Sequence, residues 1–245
     1  MAIEDFEALV ARAEADPAVV GLILSGSRAR EGMATEHSDH DVYVVTADGA
    51  KPKSLAGRRS TALDVVVLSL GEFRTRGLPG DAYAWDRYAF VHCEIVLDCL
   101  DGEIKELVAR KATLDPDEAR RLTDESLDAY INSLYRSVKS HRDGRAGAAH
   151  LDAAESVGWF LTALFALHGR VRPYNKYLEW ELAKSPLGAP HWSLPQLLPT
   201  LRRILADGDL PTQRELFARL ESSAREAGHG EVIDSWGDDV LLLRP

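Results

Sequence analysis

Two aspartates, Asp39 and Asp41, are the residues whose spacing most directly suggests chemistry. They stand one residue apart, just before an apolar run, Val42 to Val45, that has the composition of a β-strand. Side chains alternate faces along a strand, so both carboxylates are expected on one face, roughly 6–7 Å apart at the backbone. Two like charges this close repel unless a cation lies between them, and oxygen-only ligands favour Mg²⁺ or Mn²⁺. The sequence therefore predicts a divalent-metal site.

Gly26 and Ser27 supply the second half of the predicted site. They follow a strand-like run, Val19 to Leu24, and a glycine there lets backbone N–H groups approach an anion while the serine adds a donor. Residues 28–31 are predicted to begin a short helix whose N-terminus also favours phosphate. A phosphate-holding turn followed by a metal-holding pair predicts a metal-bound nucleoside triphosphate. The plain alternative is that the two aspartates are surface acids at a strand start.

These segments resemble a known signature. Gly26-Ser27-Arg28-Ala29-Arg30 followed by Ser38-Asp39-His40-Asp41 resembles the Gly-Ser…Asp-x-Asp pattern of the DNA polymerase β-like nucleotidyltransferases. The likeness is to the minimal and antibiotic-modifying branch, such as kanamycin nucleotidyltransferase. That pattern usually has a hydrophobic residue between the aspartates; here it is His40, which is predicted to face away from the metal.

A third acid, Asp64, lies inside the apolar run Leu63 to Leu68. An unpaired carboxylate there would be costly to bury, so it must find a cation, a metal or a sheet edge. The resemblance implies that a third acid completes the metal cage and takes the proton of the acceptor hydroxyl, and Asp64 matches by position. A strand-start acid paired with an arginine is the alternative, and Glu94 and Asp98 are rival third acids.

The resemblance also implies the fold and the activity. The fold is an α/β (α+β) nucleotidyltransferase domain with a short mixed sheet, residues 1–114, followed by an all-helical domain, residues 115–245, that closes over substrate and nucleotide. The activity is Mg²⁺-dependent transfer of a nucleoside monophosphate to a hydroxyl of a small-molecule acceptor. The donor is ATP, which gives AMP, or another nucleoside triphosphate, which gives its own monophosphate. Charge and family together suggest an aminoglycoside-like antibiotic as that acceptor.

Site roles follow from the same resemblance. Two Mg²⁺ ions would align the acceptor oxygen and the leaving pyrophosphate, with Asp39 and Asp41 binding both ions and Asp64 only the catalytic one. Gly26 and Ser27 would hold the β- and γ-phosphates.

The cations around this turn and in the helical half are further candidates. Arg28 or Arg30 would neutralise the triphosphate, and the alternative for each is a surface salt bridge. Lys176 and Tyr174, in the cluster Arg170 to Trp180, are the candidates for contacts to the triphosphate or the base. The alternative is that the aromatic residues of that cluster are core and Lys176 is surface.

Rival functions stay open. One is a protein-AMPylating enzyme of the antitoxin-type minimal nucleotidyltransferases, and another is a nucleotide-binding module without catalysis. Arg136 and His141 fit the loose Arg-x₄-His spacing of HEPN ribonucleases, a pattern that also arises by chance on charged helices. Lys139, between them, is a weaker candidate for a nucleotide contact.

Composition bounds the class of protein. The chain has 245 residues, 45% hydrophobic and 28% charged, which is typical of a globular protein with one or two domains. The formal net charge of −10 argues against broad nucleic-acid binding and favours a cationic small molecule. With neither a bilayer-length apolar run nor an apolar signal segment, a cytoplasmic protein without a membrane partner is expected. The two cysteines, Cys93 and Cys99, are too few for a zinc site and are expected to be buried free thiols.

Periodicity places the remaining elements. It predicts a first helix marked by Ile3 to Ala13, a fourth strand from Tyr88 to Leu97 and a helix from Ile104 to Ala112. Asp115-Pro116 is a strong helix start, with a cap followed by proline at the first position, so the domain boundary is placed there. From Asp117 onward only helices are predicted.

Overall fold

The computed structural model describes residues 5–53 and 55–245, and the chain divides into two units, Met1–Thr113 and Leu114–Pro245. The first unit carries a small mixed sheet with helices. In the part of the chain that the structure describes, all strands belong to this unit and the second unit is helical. The predicted architecture, a short mixed sheet followed by an all-helical region, is confirmed.

The sheet has five strands in the order β3-β4-β2-β1-β5. Its β2–β4 pair is parallel, and its other pairs are antiparallel. The strands are β1 (Val19–Ser25), β2 (His40–Thr46), β3 (Arg58–Arg59), β4 (Leu63–Ser69) and β5 (Glu94–Asp98).

Both faces of the sheet are covered, which explains why β1 and β2 are apolar at consecutive positions. On one face, Leu22 and Val44 pack against Leu9 of helix α1 (Phe6–Ala15). On the other face, Ile23, Tyr43 and Val45 belong to a core with Phe73, Phe90 and Ile104. Phe73 lies in α2 (Leu70–Thr75) and Ile104 in α3 (Glu103–Ala112). The predicted Ile3 of the first helix lies outside the described residues.

The predicted fourth strand is wrong over its first half. Residues Ala84–Phe90 form a 3-10 helix, and only Glu94–Asp98 pair as β5. His92 between them adopts a φ of 60°, which interrupts an extended chain. Tyr88, Ala89 and Phe90 are all buried, and such a continuous apolar run does not distinguish a strand from a buried helical segment. The cysteines that flank β5 are free thiols, as predicted, but the prediction that both are buried is wrong: Cys93 is partly buried and Cys99 is exposed.

The second unit is built on two long helices, α4 (Pro116–Arg142) and α5 (Ala146–Leu167). As predicted, Asp115 caps α4: its carboxylate accepts from the backbone N–H of Glu118 at 2.9 Å, and Pro116 opens the helix. Shorter helices complete the unit: α6 (Leu178–Lys184), α7 (Leu194–Asp207), α8 (Leu210–Glu226) and α9 (Gly230–Asp234). One core unites them, with Leu134, Phe160, Trp192 and Phe217 among its fully buried members. Among the described helices, none is both long enough and apolar enough for a bilayer span.

Candidate active site

The strand register brings two of the predicted acids onto one face of the sheet. Asp41 on β2 pairs with Ser25 at the end of β1 and with Asp64 on the parallel strand β4. Residues paired in register point to the same side, and adjacent strands lie about 4.8 Å apart. Asp41 and Asp64 are therefore neighbours at the end of the sheet where the turn after β1 begins. Asp39 lies just before β2.

Gly26 makes the closest approach in this region. Its φ is +68°, and a Cβ added to it would lie 1.7 Å from Oδ2 of Asp41 and 2.7 Å from Cγ. The Asp41 carboxylate therefore occupies the space that a side chain at position 26 would fill. This agrees with the predicted arrangement of a glycine turn beside a metal-holding aspartate, because the backbone of the turn and the carboxylate are in direct contact.

The turn that follows is not the predicted short helix. Residues 26–30 form turns and a bend, closed by the Arg30 N–H to the Ser27 carbonyl at 3.2 Å. The Ser27 hydroxyl is buried and donates to the hydroxyl of Ser38 at 3.0 Å. Arg28 donates to the Ser38 carbonyl through Nε at 2.9 Å and through Nη2 at 2.7 Å. These bonds fix the segment that carries Asp39 against the turn, and the contact of Arg28 with the triphosphate stays a prediction.

Arg30 is buried, with 2% of its surface exposed, and it acts as an internal clamp. Its guanidinium donates to the carbonyls of Gly26 at 2.6 Å, Tyr88 at 3.1 Å and Val91 at 2.7 Å. Ser25 adds a bond from its hydroxyl to the Ala89 carbonyl at 2.5 Å. The role proposed for Arg30 on the triphosphate is therefore replaced by a positioning role, since its donors are directed at backbone carbonyls.

Asp64 has a cation beside it. Arg59 of β3 places Nε 3.7 Å from Oδ2 of Asp64, which matches the arginine-paired alternative. The Arg59 side chain is 89% exposed, and so solvated a pair contributes about 0–1 kcal/mol. Within residues 5–53 and 55–245, no group of three His, Cys, Asp or Glu side chains is gathered closely enough to hold a metal. The set of Asp39, Asp41 and Asp64 as ligands stays a prediction, favoured by oxygen-only donors and by the shared face of Asp41 and Asp64.

The rival third acids are placed differently. Glu94 pairs with Leu24 across β1, on the face opposite Asp41. Asp98 accepts from the backbone N–H groups of Leu100 at 3.0 Å and Lys105 at 3.2 Å, which ties the start of α3 to the end of β5. The register therefore favours Asp64 over both.

His40 faces away from Asp41, as expected. Its ring stacks on Phe6 of α1 at 4.7 Å, and Nδ1 lies 3.3 Å from the carbonyl of Ala62. Burial lowers the pKa of His40. This residue therefore belongs to the packing on the other side of the sheet.

A buried network that the sequence reasoning missed holds the 3-10 helix Ala84–Phe90 on the Asp41 face. The Tyr43 hydroxyl, two positions along β2 from Asp41, donates to Asp86 Oδ2 at 2.8 Å. Arg76 Nε donates to the same oxygen at 2.7 Å. Asp86 itself could have revealed this network in the sequence, because it is an acid inside an aromatic segment. Like Asp64, it would be costly to bury without a partner.

The helical cluster lies in the second unit, and most of its cations serve packing there. Arg170 donates to the Ser185 carbonyl at 2.6 Å, and Arg172 donates to the Gly158 carbonyl at 2.9 Å. Lys176 is exposed, 5.3 Å from the ring of buried Tyr177, and the Tyr174 ring lies 6.5 Å from that ring. The nucleotide contacts of Lys176 and Tyr174 stay predictions.

The Arg-x₄-His pattern is not assembled as a pair. Five residues along a helix turn the side chains by about 140°. Arg136 points to α5, where it pairs with Asp152 at 3.3 Å and Glu155 at 2.7 Å. His141 instead places Nε2 3.1 Å from the carbonyl of Gly208. Both side chains therefore have structural partners in the second unit, and the ribonuclease alternative stays a prediction.

Comparison with solved structures gives a distant likeness in fold. No family model matches this sequence, and no curated protein matches it. Among solved structures, the crystal structure of a nucleotidyltransferase-like protein from Exiguobacterium sibiricum is similar over 94% of this chain and 89% of that chain. The sequence identity is 14% and the TM-score is 0.43. At these values the likeness carries no argument about activity, which has to be argued from the residues themselves.

Proposed function

We propose that this chain is a Mg²⁺-dependent nucleotidyltransferase that transfers AMP from ATP to a hydroxyl of a small, cationic acceptor of the aminoglycoside type. One observation carries the proposal: the Asp41 carboxylate lies against Gly26 in the turn after β1, with Asp64 in register beside it. A glycine turn in contact with paired carboxylates suits a metal-bound triphosphate.

In this proposal the three aspartates would hold the metal, and one of them takes the proton. Asp39, Asp41 and Asp64 would bind Mg²⁺, which would supply positive charge to the triphosphate and to the leaving pyrophosphate. Asp64 accepts the proton of the acceptor hydroxyl. The acceptor oxygen forms a bond to the α-phosphorus while the bond from that phosphorus to the bridging oxygen breaks, and pyrophosphate leaves.

The turn and the helical unit have supporting roles. Backbone N–H groups at Gly26 and Ser27 bind the β- and γ-phosphates, and Arg28 holds the Asp39 segment through the Ser38 carbonyl. Lys176 and Tyr174 are proposed to contact the nucleotide. The formal net charge of −10 supports a cationic acceptor, since an acidic protein attracts one electrostatically.

The test is pyrophosphate release. Purified protein with ATP, Mg²⁺ and a panel of aminoglycosides should release pyrophosphate, and EDTA should stop the release. Asp41→Asn should reduce it by more than about 100-fold, because an outer-shell residue alone is worth about 10–100-fold. Glu106→Gln, the same chemical change on an exposed residue of α3, is the matched control and should leave the rate unchanged.

Two results would contradict the proposal and favour a named rival. A protein band labelled from radioactive ATP in a lysate, with no labelled small molecule, would indicate a protein-modifying enzyme of the antitoxin type. Tight ATP binding with no turnover across the panel would indicate a nucleotide-binding module.

A further inference from the structure

A cavity of about 380 Å³ opens to the surface of the second unit. It is formed where the end of α4, the start of α8 and the 3-10 helix Gly237–Leu242 meet. Seven residues line it, and none of them is acidic. The function proposed above uses no residue of this cavity.

The lining combines apolar side chains with basic ones, which we call the rim. Val138, Leu210 and Leu242 are the apolar residues, and Leu242 is partly exposed. Lys139, Arg142 and Arg214 carry the charge of the rim, and His141 joins them. This lining suits a ligand with an anionic end and an apolar body. The anionic end would interact with the basic side chains, and the apolar body would pack on the apolar ones.

Two cations of the rim have partners other than a directly paired carboxylate. Within the described parts of the chain, neither Lys139 nor Arg214 forms a salt bridge, and the nearby Asp239 carboxylate accepts from the Tyr135 hydroxyl. Lys139 lies 5.0 Å from the ring of Tyr135, and Arg214 donates through Nε to the Leu242 carbonyl at 3.2 Å. Arg142, by contrast, has Asp143 at 3.1 Å.

Helix electrostatics explain only part of this arrangement. Lys139, His141 and Arg142 lie in the last turn of α4, where cations interact favourably with the unpaired carbonyl groups. Arg214, however, lies near the N-terminus of α8, the end of a helix dipole that favours anions. Its convergence with the α4 cations, in a chain of net charge −10, therefore needs another cause. An anion between them supplies it.

We propose that this cavity binds a small organic phosphate. Its phosphate group lies between Lys139 and Arg214, and its apolar body lies on Val138, Leu210 and Leu242. An arginine fork together with a lysine point charge is a favourable combination for phosphate oxygens. The volume falls at the lower end of the roughly 300–1,000 Å³ range of small-molecule sites, so the ligand is a small molecule and not a polymer.

The test uses the full ¹⁵N-labelled chain and three probes followed by NMR. Phenyl phosphate should bind saturably, with a dissociation constant of about 1 mM or tighter, and shift the amides of residues 138–142, 210 and 212–214. Inorganic phosphate, which lacks the apolar body, and benzyl alcohol, which lacks the anion, should each bind at least about tenfold more weakly. Equal binding of phenyl phosphate and inorganic phosphate would overturn the proposal, and so would phenyl phosphate shifts confined to residues 26–41.

Matched variants assign the binding to the two cations. Lys139→Gln and Arg214→Gln should each weaken phenyl phosphate binding about tenfold, the effect of one charge-assisted hydrogen bond. Lys184→Gln is the control for the lysine, because Lys184 also lies over an aromatic ring, that of Trp180 at 4.7 Å. Arg219→Gln on the same helix is the control for Arg214.

Unchanged affinity in the two rim variants, or equal loss in the controls, would refute the assignment. Asp41→Asn should retain phenyl phosphate binding in full. The phosphate cavity and the proposed transferase activity can therefore fail separately.

Discussion

Replacing Gly26 by alanine tests the contact on which the proposed site depends. The new Cβ would lie 1.7 Å from Oδ2 of Asp41, whereas an ordinary non-bonded separation is about 3.5–4.0 Å. The carboxylate must therefore retreat by about 2 Å, or the turn must open. We expect Gly26→Ala to disturb stability and activity together.

The magnitude follows from two separable contributions. A left-handed φ of +68° costs an alanine about 1–2 kcal/mol, and the clash adds the about 1–3 kcal/mol typical of an overpacked site. Gly32 provides the matched control, because its φ is +75° and a Cβ there would meet nothing within 4 Å. Gly32→Ala should therefore show the backbone cost alone, and the difference between the two variants isolates the contact with Asp41.

Native-state hydrogen exchange of the β1 and β2 amides measures this difference within the first unit. Pyrophosphate release measures the functional effect, and we expect a loss of about 100-fold in Gly26→Ala, since misplacing a catalytic group by about 1 Å can cost that much. The loss in Gly32→Ala should be small. If the two alanine variants were equally stable and equally active, Asp41 would not lie against Gly26 and the site would be wrong.

Two further predictions concern buried cations of the first unit. Burial lowers the pKa of Lys111 from 10.5 to about 8. Between these two pH values the unfolded chain holds the proton more tightly than the folded chain does. The free energy of unfolding should therefore rise by up to about 3 kcal/mol as pH increases from about 8 to about 10.5. Lys111→Met should remove this rise in denaturant titrations across that window, and an unchanged slope in the variant would contradict the assignment. Arg30→Lys keeps the charge but loses the fork that reaches three carbonyls, so we expect a loss of about 2 kcal/mol and faster exchange at residues 26–31. Arg110→Lys, on the exposed side of α3, is the control, and an equal effect of the two lysine substitutions would contradict the clamp.

Local sequence patterns predicted most of the secondary structure. The alternation of capping residues, apolar runs and turn residues predicted β1, β2, β4 and the long helices, because each of these signals acts over a few neighbouring positions. The start of α4 is one such case: the Asp115 carboxylate accepts from the Glu118 N–H at 2.9 Å, and Pro116 is the first residue of the helix. The prediction of a strand from Tyr88 was wrong because its main signal was a run of apolar residues at consecutive positions. A buried helical turn has the same pattern.

The candidate site depended more on tertiary structure. The sequence by itself determined which residues were candidates, because Gly26, Asp39, Asp41 and Asp64 all stand where strands begin or end. Only the fold decided that Asp64, and not Glu94, shares a face with Asp41, since this follows from the pairing of β4 with β2. Only the fold gave Arg30 its positioning role, because the Tyr88 and Val91 carbonyls to which it donates lie 58 and 61 positions along the chain. Such partners depend on strand order and register, which the spacing of neighbouring residues does not specify.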